Sequence, residues 1–498
     1  MDTSIEKARR EVQEAIDQAV AIADTGEPQQ LSGVEAKLWT AVLRVGRALI
    51  ALFLARCAAR PRAVEYAHAG RRYVLRGKMR TSELGTRFGK LSFVRPVGTC
   101  VGAPSASADL LVDRELGVCS GFSLGVVLAM ARLCAQMPFA TARDNFRQSH
   151  EWVPSPRAVL RMVDGTGEQA RGFLEQAPAP EGDGEVLVAL VDAGGAPMVG
   201  VNEHALRRAP HKKARRNQSE RHGRRARRQA QPKKRRAPGE KSKNAKMAVV
   251  GVLYTLRRTA DGMEGPINKR VYATFESHEE LFVWLRKEAD KRGYGKKPMV
   301  FLADGSEHIW RLQERYFPEA EACLDWYHLM EYLWAAGQCL HRKGSKKGSK
   351  NLERWIALQK ARLRAGAIQA VIHELTRALE RIPKTGPGNK AKRARLECTL
   401  DYITEHRTRL RYRQLRERDL DIGSGAVEGA VRNLVRMRLD GPGMRWGRQR
   451  SENVLHLRCI YLNRQWADFE TYLSAKGVKL PAQPVPMRPH TAKTRKAA

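Results

Sequence analysis

Three carboxylates stand where a side chain would be offered to a ligand rather than consumed by packing. Asp192 closes the apolar run Glu185-Val-Leu-Val-Ala-Leu-Val, which reads as a buried strand passing into a turn. Asp304 ends Pro298-Met-Val-Phe-Leu-Ala in the same manner, with Gly305 after it. Glu428 falls in the first turn of a segment whose Val427, Val431, Leu434 and Val435 repeat at helical spacing. Side chains at strand ends reach ligands outside a sheet, and a neighbouring helix can add one more group. Converging carboxylates offer only oxygen, which suits Mg²⁺, with Mn²⁺ as a substitute, better than zinc. Two such ions about 4 Å apart would clamp the attacking and leaving oxygens of a phosphoryl group. Taken singly, each residue is ordinary. Aspartate before glycine is a routine turn residue, and Glu428 with Arg432 is also a helix-surface ion pair at i,i+4.

Placing these groups requires a sheet with a helix against it, and the chain carries both. Met247–Leu256 and Lys269–Phe275 read as strands joined through Asp261-Gly262, followed by a helix over His278–Arg292. A strand into Asp304, a helix, a strand over Glu321–Leu324 and a helix start complete the run. Strand, turn, strand, strand, helix, strand, helix is the order of an RNase H-like α/β core. We expect its first part at 184–340 and its second part at 421–470, separated by a polar, basic helical insertion at 341–420. Ser424 reads as the N-cap of the Glu428 helix and Asp440-Gly-Pro-Gly as its stop. A further helix spans Ser451–Trp466, and 471–498 reads as a basic tail. Upstream, residues 1–60 read as helical and 70–118 as a small β-containing segment. Helices over Phe122–Cys134, Phe139–Gln148 and Ser155–Val163 fill 119–168. They suggest either a helix-turn-helix exposing Arg157 and Arg161 or a plain three-helix bundle. The whole is α+β, with an α-helical DNA-binding region ahead of the α/β core.

A formal net charge of +37, from 90 Lys and Arg against 53 Asp and Glu, points to a polyanionic partner, nucleic acid being the commonest. The charge peaks between Arg207 and Lys246, with 18 Lys and Arg against two glutamates. Such a stretch cannot bury a core and reads as an arm that grips phosphate without sequence preference. Arg215, Arg216, Arg224, Arg225, Lys233 and Lys234 are its candidate contacts. The most apolar run, Ala48–Ala55 between Arg47 and Arg56, reads as too short to span a bilayer. With no leader pattern ahead of it, we expect a soluble, cytoplasmic protein without a membrane partner. Eight cysteines with no CxxC pair point away from a disulfide framework or a zinc knuckle.

The motifs Asp304-Gly-Ser-Glu-His-Ile-Trp, Tyr316-Phe-Pro-Glu-Ala, Leu324-Asp-Trp-Tyr-His-Leu and Gly423-Ser-Gly-Ala-Val-Glu, with Arg438-Leu-Asp-Gly-Pro-Gly-Met-Arg-Trp446, resemble those of bacterial insertion-sequence DDE transposases of the ISKra group. These are distant relatives of Mutator-type transposases. The likeness covers residues 185–470 and, more loosely, 85–168. It implies Asp304 as the second catalytic acid, Glu428 as the third and Asp192 as the first, all three as metal ligands. Asp192 is followed by Ala-Gly-Gly where the family has Asp-Gly, and Asp183, before the strand, is the nearest alternative. The family's cysteine-paired element near the N-terminus has no counterpart in Cys100 and Cys119. Asp325 and His328 either support the metal ligands from behind or form an ordinary helix cap. Arg432, Arg445 and Trp446 are candidate DNA contacts, with Trp446 either stacking on an unpaired base or packing under the Glu428 helix. The resemblance implies Mg²⁺-dependent cleavage at terminal inverted repeats and joining to target DNA; because two DNA ends must be handled, a homodimer or larger assembly is expected. A nuclease or resolvase that cuts without joining, and a non-catalytic DNA-binding repressor, are the alternatives.

Overall fold

The computed structural model describes residues 2–26, 28–102, 108–199, 245–341 and 346–482. They divide into two compact units, one of residues up to 173 and from 449 to 482, the other of residues 174–448. The first opens with two helices, α1 (Asp2–Asp24) and α2 (Leu31–Ala59), packed along each other. An antiparallel sheet follows, β1 (Glu65–His68), β2 (Arg71–Thr86) and β3 (Gly89–Cys100). Its strands are longer than the sequence pattern suggests. Leu84, Leu91 and Phe93 share a core with Leu54 of α2 and Val112 of α3 (Leu111–Glu115). Three helices come next: α4 (Leu124–Gln136), α5 (Phe139–His150) and α6 (Pro156–Gln176). By length and composition alone α2 is apolar enough to cross a membrane, a test that the core helix of a soluble protein also passes.

The second unit is built on a five-stranded mixed sheet, and its first three strands form an antiparallel meander: β4 (Val186–Pro197), β5 (Ala245–Thr259) and β6 (Gly262–Thr274). After α7 (His278–Lys291) the chain enters β7 (Met299–Ala303), α8 (Glu307–Tyr316), β8 (Glu321–Leu324) and α9 (Trp326–Leu340). Strands β7 and β8 extend the sheet in parallel from the other side of β4, giving the order β6-β5-β4-β7-β8. Leu187, Val188, Ala189 and Leu190 are wholly buried, the pattern of a strand covered on both faces. Helix α7 lies close on the sheet: a Cβ at Gly251 would come within 2.8 Å of Leu281.

The expected insertion is a helical layer of α10 (Lys346–Arg364), α11 (Ile368–Arg381) and α12 (Asn389–Glu405), a 3₁₀ turn at Arg407–Arg409, and α13 (Tyr412–Arg416). Helix α12 ends at His406, and the chain reaches α13 only after the 3₁₀ turn. The Glu428 helix is interrupted. Helix α14 (Gly425–Val431) passes into a π-helical turn at Arg432–Arg436 and then α15 (Met437–Leu439). The chain then supplies α16 (Arg448–Leu462) and α17 (Trp466–Lys476), where one helix was expected, and most of both belongs to the first unit. There Arg450 pairs with the buried Asp164 of α6 at 2.8 Å. A Cβ on Gly167 would collide with Asn453 at 2.4 Å, so α6 and α16 meet closely.

Candidate active site

The parallel half of the sheet fixes the positions of three aspartates. The last rungs of its ladders are Val191 with Ala303 and Ala303 with Leu324. Asp192, Asp304 and Asp325 are the next residues on these three adjacent strands, so strand spacing of about 4.8 Å sets their separation. The Asp325 N–H donates to Ala303 O at 2.9 Å and holds that register. Asp192 was expected at the end of its strand, but β4 continues to Pro197, paired with β5 alone. Asp192 stands instead where the parallel pairing ends. Gly194 and Gly195, which read as a turn, lie inside the strand. A Cβ on Gly194 would come within 2.9 Å of Val431 and 3.2 Å of Val435. Its absence lets α14 and the π-helical turn rest directly on β4.

That packing brings Glu428 into the field of the aspartates. Burial first of all raises the Asp192 carboxyl above the usual range. The negative charges of Asp304 and Glu428 add to the rise, while the Ala193 N–H at 2.6 Å and His328 oppose it. Asp304 accepts the Ser306 N–H at 3.0 Å, which starts the turn into α8. Glu428 is exposed and accepts the Ser424 hydroxyl at 2.6 Å. Ser424 occupies the N-cap position but makes no side-chain cap bond, because its hydroxyl is turned to Glu428. A π-helical turn next to such a residue is common at functional sites.

Asp325 forms the helix cap that one of the two expectations gave it. Wholly buried, it caps α9 by accepting the His328 N–H at 2.9 Å, and it accepts His328 Nδ1–H at 2.7 Å. Its other oxygen accepts the Ser424 N–H at 2.6 Å. A continuous chain of hydrogen bonds therefore runs from His328 through Asp325 and Ser424 to Glu428. The hydrogen bond to Asp325 pushes His328 up to about 9 against the effect of burial, helped by Asp304 and Asp192. Burial would raise the Asp325 carboxyl, but the bonds from His328 and Ser424 hold it below the usual range.

A wall over Asp304 was not foreseen from sequence. Gly305 has Tyr402 and His406 against it, where a Cβ would meet them at 2.2 and 2.9 Å. Tyr402 stacks on Tyr332 with ring centroids 3.9 Å apart. Burial raises the Tyr402 hydroxyl, and neighbouring Tyr332 and Asp304 add to it. Burial lowers His406 and His278, while Asp304 works against both shifts. Tyr402 and His406 lie four residues apart on α12 and its C-cap, but Tyr332 comes from α9 and His278 from α7, so no local spacing could have linked the whole group.

The other candidates separate. Asp183 is bound to Arg292 at 2.7 and 2.8 Å and to Asn268 at 3.0 Å, which leaves it a structural partner outside the acid group. Trp446 is 6% exposed. Its indole donates to Leu439 O at 2.8 Å, Arg438 lies 5.0 Å over its ring, and its backbone bonds Pro197 and Val199. Its ring is enclosed and its N–H satisfied, which favours the packing alternative over base stacking. Arg432 and Arg445 are exposed, as is Arg157 on α6. Arg161 is half-buried and donates to Pro481 O at 2.5 Å. Arg215, Arg216, Arg224, Arg225, Lys233 and Lys234 lie outside the described residues.

Among the described residues, no three His, Cys, Asp or Glu side chains are gathered closely enough to hold a metal ion as they stand. In kind the donor set suits an oxygen-preferring divalent cation. Asp192 is raised in part by the charge of Asp304 and Glu428, a repulsion that a cation between them relieves. No protein-family model matches the chain, and no curated protein matches it.

Proposed function

We propose that the second unit is an RNase H-like catalytic core carrying a helical insertion, and that the protein is a DNA transposase of the DDE type. The observation that carries this reading is the in-register placement of Asp192 and Asp304 on adjacent parallel strands, with Glu428 in the same field. The strand order β6-β5-β4-β7-β8 and the net charge of +37 support it. Asp192, Asp304 and Glu428 are the residues that would hold Mg²⁺ or Mn²⁺. When bound, the cations would neutralise phosphate charge and lower the pKa of the attacking water or 3′-hydroxyl.

The remaining work falls to the chain itself. Ser424 orients the Glu428 carboxylate, and Asp325 fixes Ser424 from the strand side. His328, kept protonated by Asp325, offers positive charge toward Asp304 and Asp192. Arg432 and Arg436 follow Glu428 along the same segment and are exposed, and in this reading they would meet phosphates flanking the scissile one. Catalysis of this kind is positioning and charge stabilisation and needs no covalent protein intermediate. Two element ends must be handled together, so the working form in the cytoplasm is a homodimer or larger assembly on DNA.

The test uses purified protein and a plasmid carrying the DNA that flanks this gene. Asp304→Asn and Glu428→Gln should each lower Mg²⁺-dependent end cleavage by at least about 10²-fold, the scale on which one preorganised charge-stabilising group acts. DNA affinity should be unchanged or higher, because repulsion of phosphate is removed. Near-normal cleavage by either variant sinks the assignment. Cleavage without joining by the wild type reassigns the protein as a nuclease.

A further inference from the structure

The helix expected to read DNA in the first unit is largely committed to packing. Residues 162–167 of α6 are buried, and Arg161 is bound to Pro481 O. The β2–β3 ribbon offers a different surface. Pairing passes from Leu75–Gly98 directly to Met79–Pro96, so Arg76, Gly77 and Lys78 together face Val97 alone. Gly77 has φ +71°, and nothing lies within 4 Å of where its Cβ would be. The bulge therefore projects into open space. Residues 76–81 are all exposed, which breaks the alternation expected of a strand covered on one face.

Charge concentrates at this projection. Arg71, Arg76, Lys78 and Arg80 have no ion-pair partner among the described residues, and no acid interrupts the sequence from Arg71 to Ser82. Beyond Leu75 strand β1 no longer pairs with β2, which leaves a two-stranded ribbon with a cationic free edge. The major groove admits such a ribbon, and β-bulges re-aim side chains at sheet edges. Edge cations also deter strand-to-strand aggregation, but that role needs no three-residue projection.

We propose that the β2–β3 ribbon is a second DNA-binding surface, with Arg76, Lys78 and Arg80 set against the phosphates of a duplex. The proposal rests on the reading of DNA as partner and is independent of the acid group's chemistry. The experiment compares the full-length wild type with the triple variant Arg76→Gln, Lys78→Gln, Arg80→Gln and with the charge-retaining Arg76→Lys, Arg80→Lys. Binding to a random-sequence duplex is followed by fluorescence anisotropy across a salt series in EDTA. The slope of log affinity against log salt should become shallower in the triple variant by about 0.9 for each phosphate no longer neutralised. The lysine variant should keep the wild-type slope, and thermal melting should be the same for all three.

An unchanged slope in the triple variant overturns the proposal and leaves the cations as edge guards. Loss of binding to phosphatidylserine vesicles with DNA binding unaltered overturns it in favour of a lipid surface. Because no metal is present in the binding assay, the two readings fail separately. A chain that binds as expected but never cleaves sinks the catalytic reading alone, and one that cleaves with an unaltered slope sinks the ribbon alone.

Discussion

Asp183 and Asp192 flank the same apolar run, and their chemical fates diverge because of what surrounds each. Asp183 meets Arg292, whose side chain is wholly buried. Burial alone would raise its carboxyl, but the bonds from Arg292 and Asn268 hold it below the usual range. Asp183→Asn should therefore cost about 3–5 kcal/mol of stability by leaving a buried guanidinium unpaired, read as a lower midpoint in urea denaturation. The pH dependence follows from the sign of the shift. The folded pKa lies below the unfolded value of about 3.9, so the pair's contribution is complete above that value and is lost as pH falls through the folded pKa. Wild type should be the more stable of the two at neutral pH and converge with the variant in strong acid. Among the described residues Asp192 has no such partner, only the Ala193 N–H, the more distant His328 and repelling carboxylates. Sequence could distinguish the two aspartates by position relative to the strand. It could not show Arg292, because that residue arrives from the end of α7.

At the scale of elements, the apolar runs and helical spacings made β4, β5, β7 and α7 legible, since each pattern reports one element's own burial. Gly194-Gly195 was misleading for a physical reason. Glycine signals a turn when the backbone needs an unusual angle, and here it serves the close approach of a helix. The π-helical turn and the Ser424–Glu428 bond left no local signature either. Ser424 is held by Asp325, which lies at a strand end far back in the chain. Trp446 shows the same dependence on remote partners. It closes the segment after α15 by bonding Leu439, Pro197 and Val199. Trp446→Ala should cost about 3–5 kcal/mol, as for other buried aromatic truncations, and lower the melting temperature. Its preference between duplex and pre-opened DNA should match wild type. A stable variant with altered preference would contradict the burial described for this residue.

For the molecule as a whole, net charge carries an expectation about the kind of partner and says nothing of the surface that would meet it. The ribbon cations are few beside those of residues 207–246, and only the bulge distinguishes them. The ends of the longer basic stretch are informative in another way. Pro197 and Ala245 form the last rung between β4 and β5, so the chain returns to the sheet where it left it. Replacing residues 200–244 with a short Gly/Ser linker should leave melting within a few degrees of wild type, because loop length contributes weakly to stability. Nonspecific DNA affinity should fall, with a shallower salt slope. An unfolded product would show that the stretch contributes to the core.

The same ladder arithmetic separates two kinds of inherited change. Lengthening the chain after Pro197, or within the helical layer between α9 and α14, leaves Asp192, Asp304 and Asp325 on the same rungs. Deleting one residue inside β7 would move Asp304 by about 3.3 Å and turn it to the opposite face of the sheet. Descendants of this chain can therefore differ widely in size and surface. What holds the three aspartates side by side is the residue count from the parallel ladders to Asp192, Asp304 and Asp325.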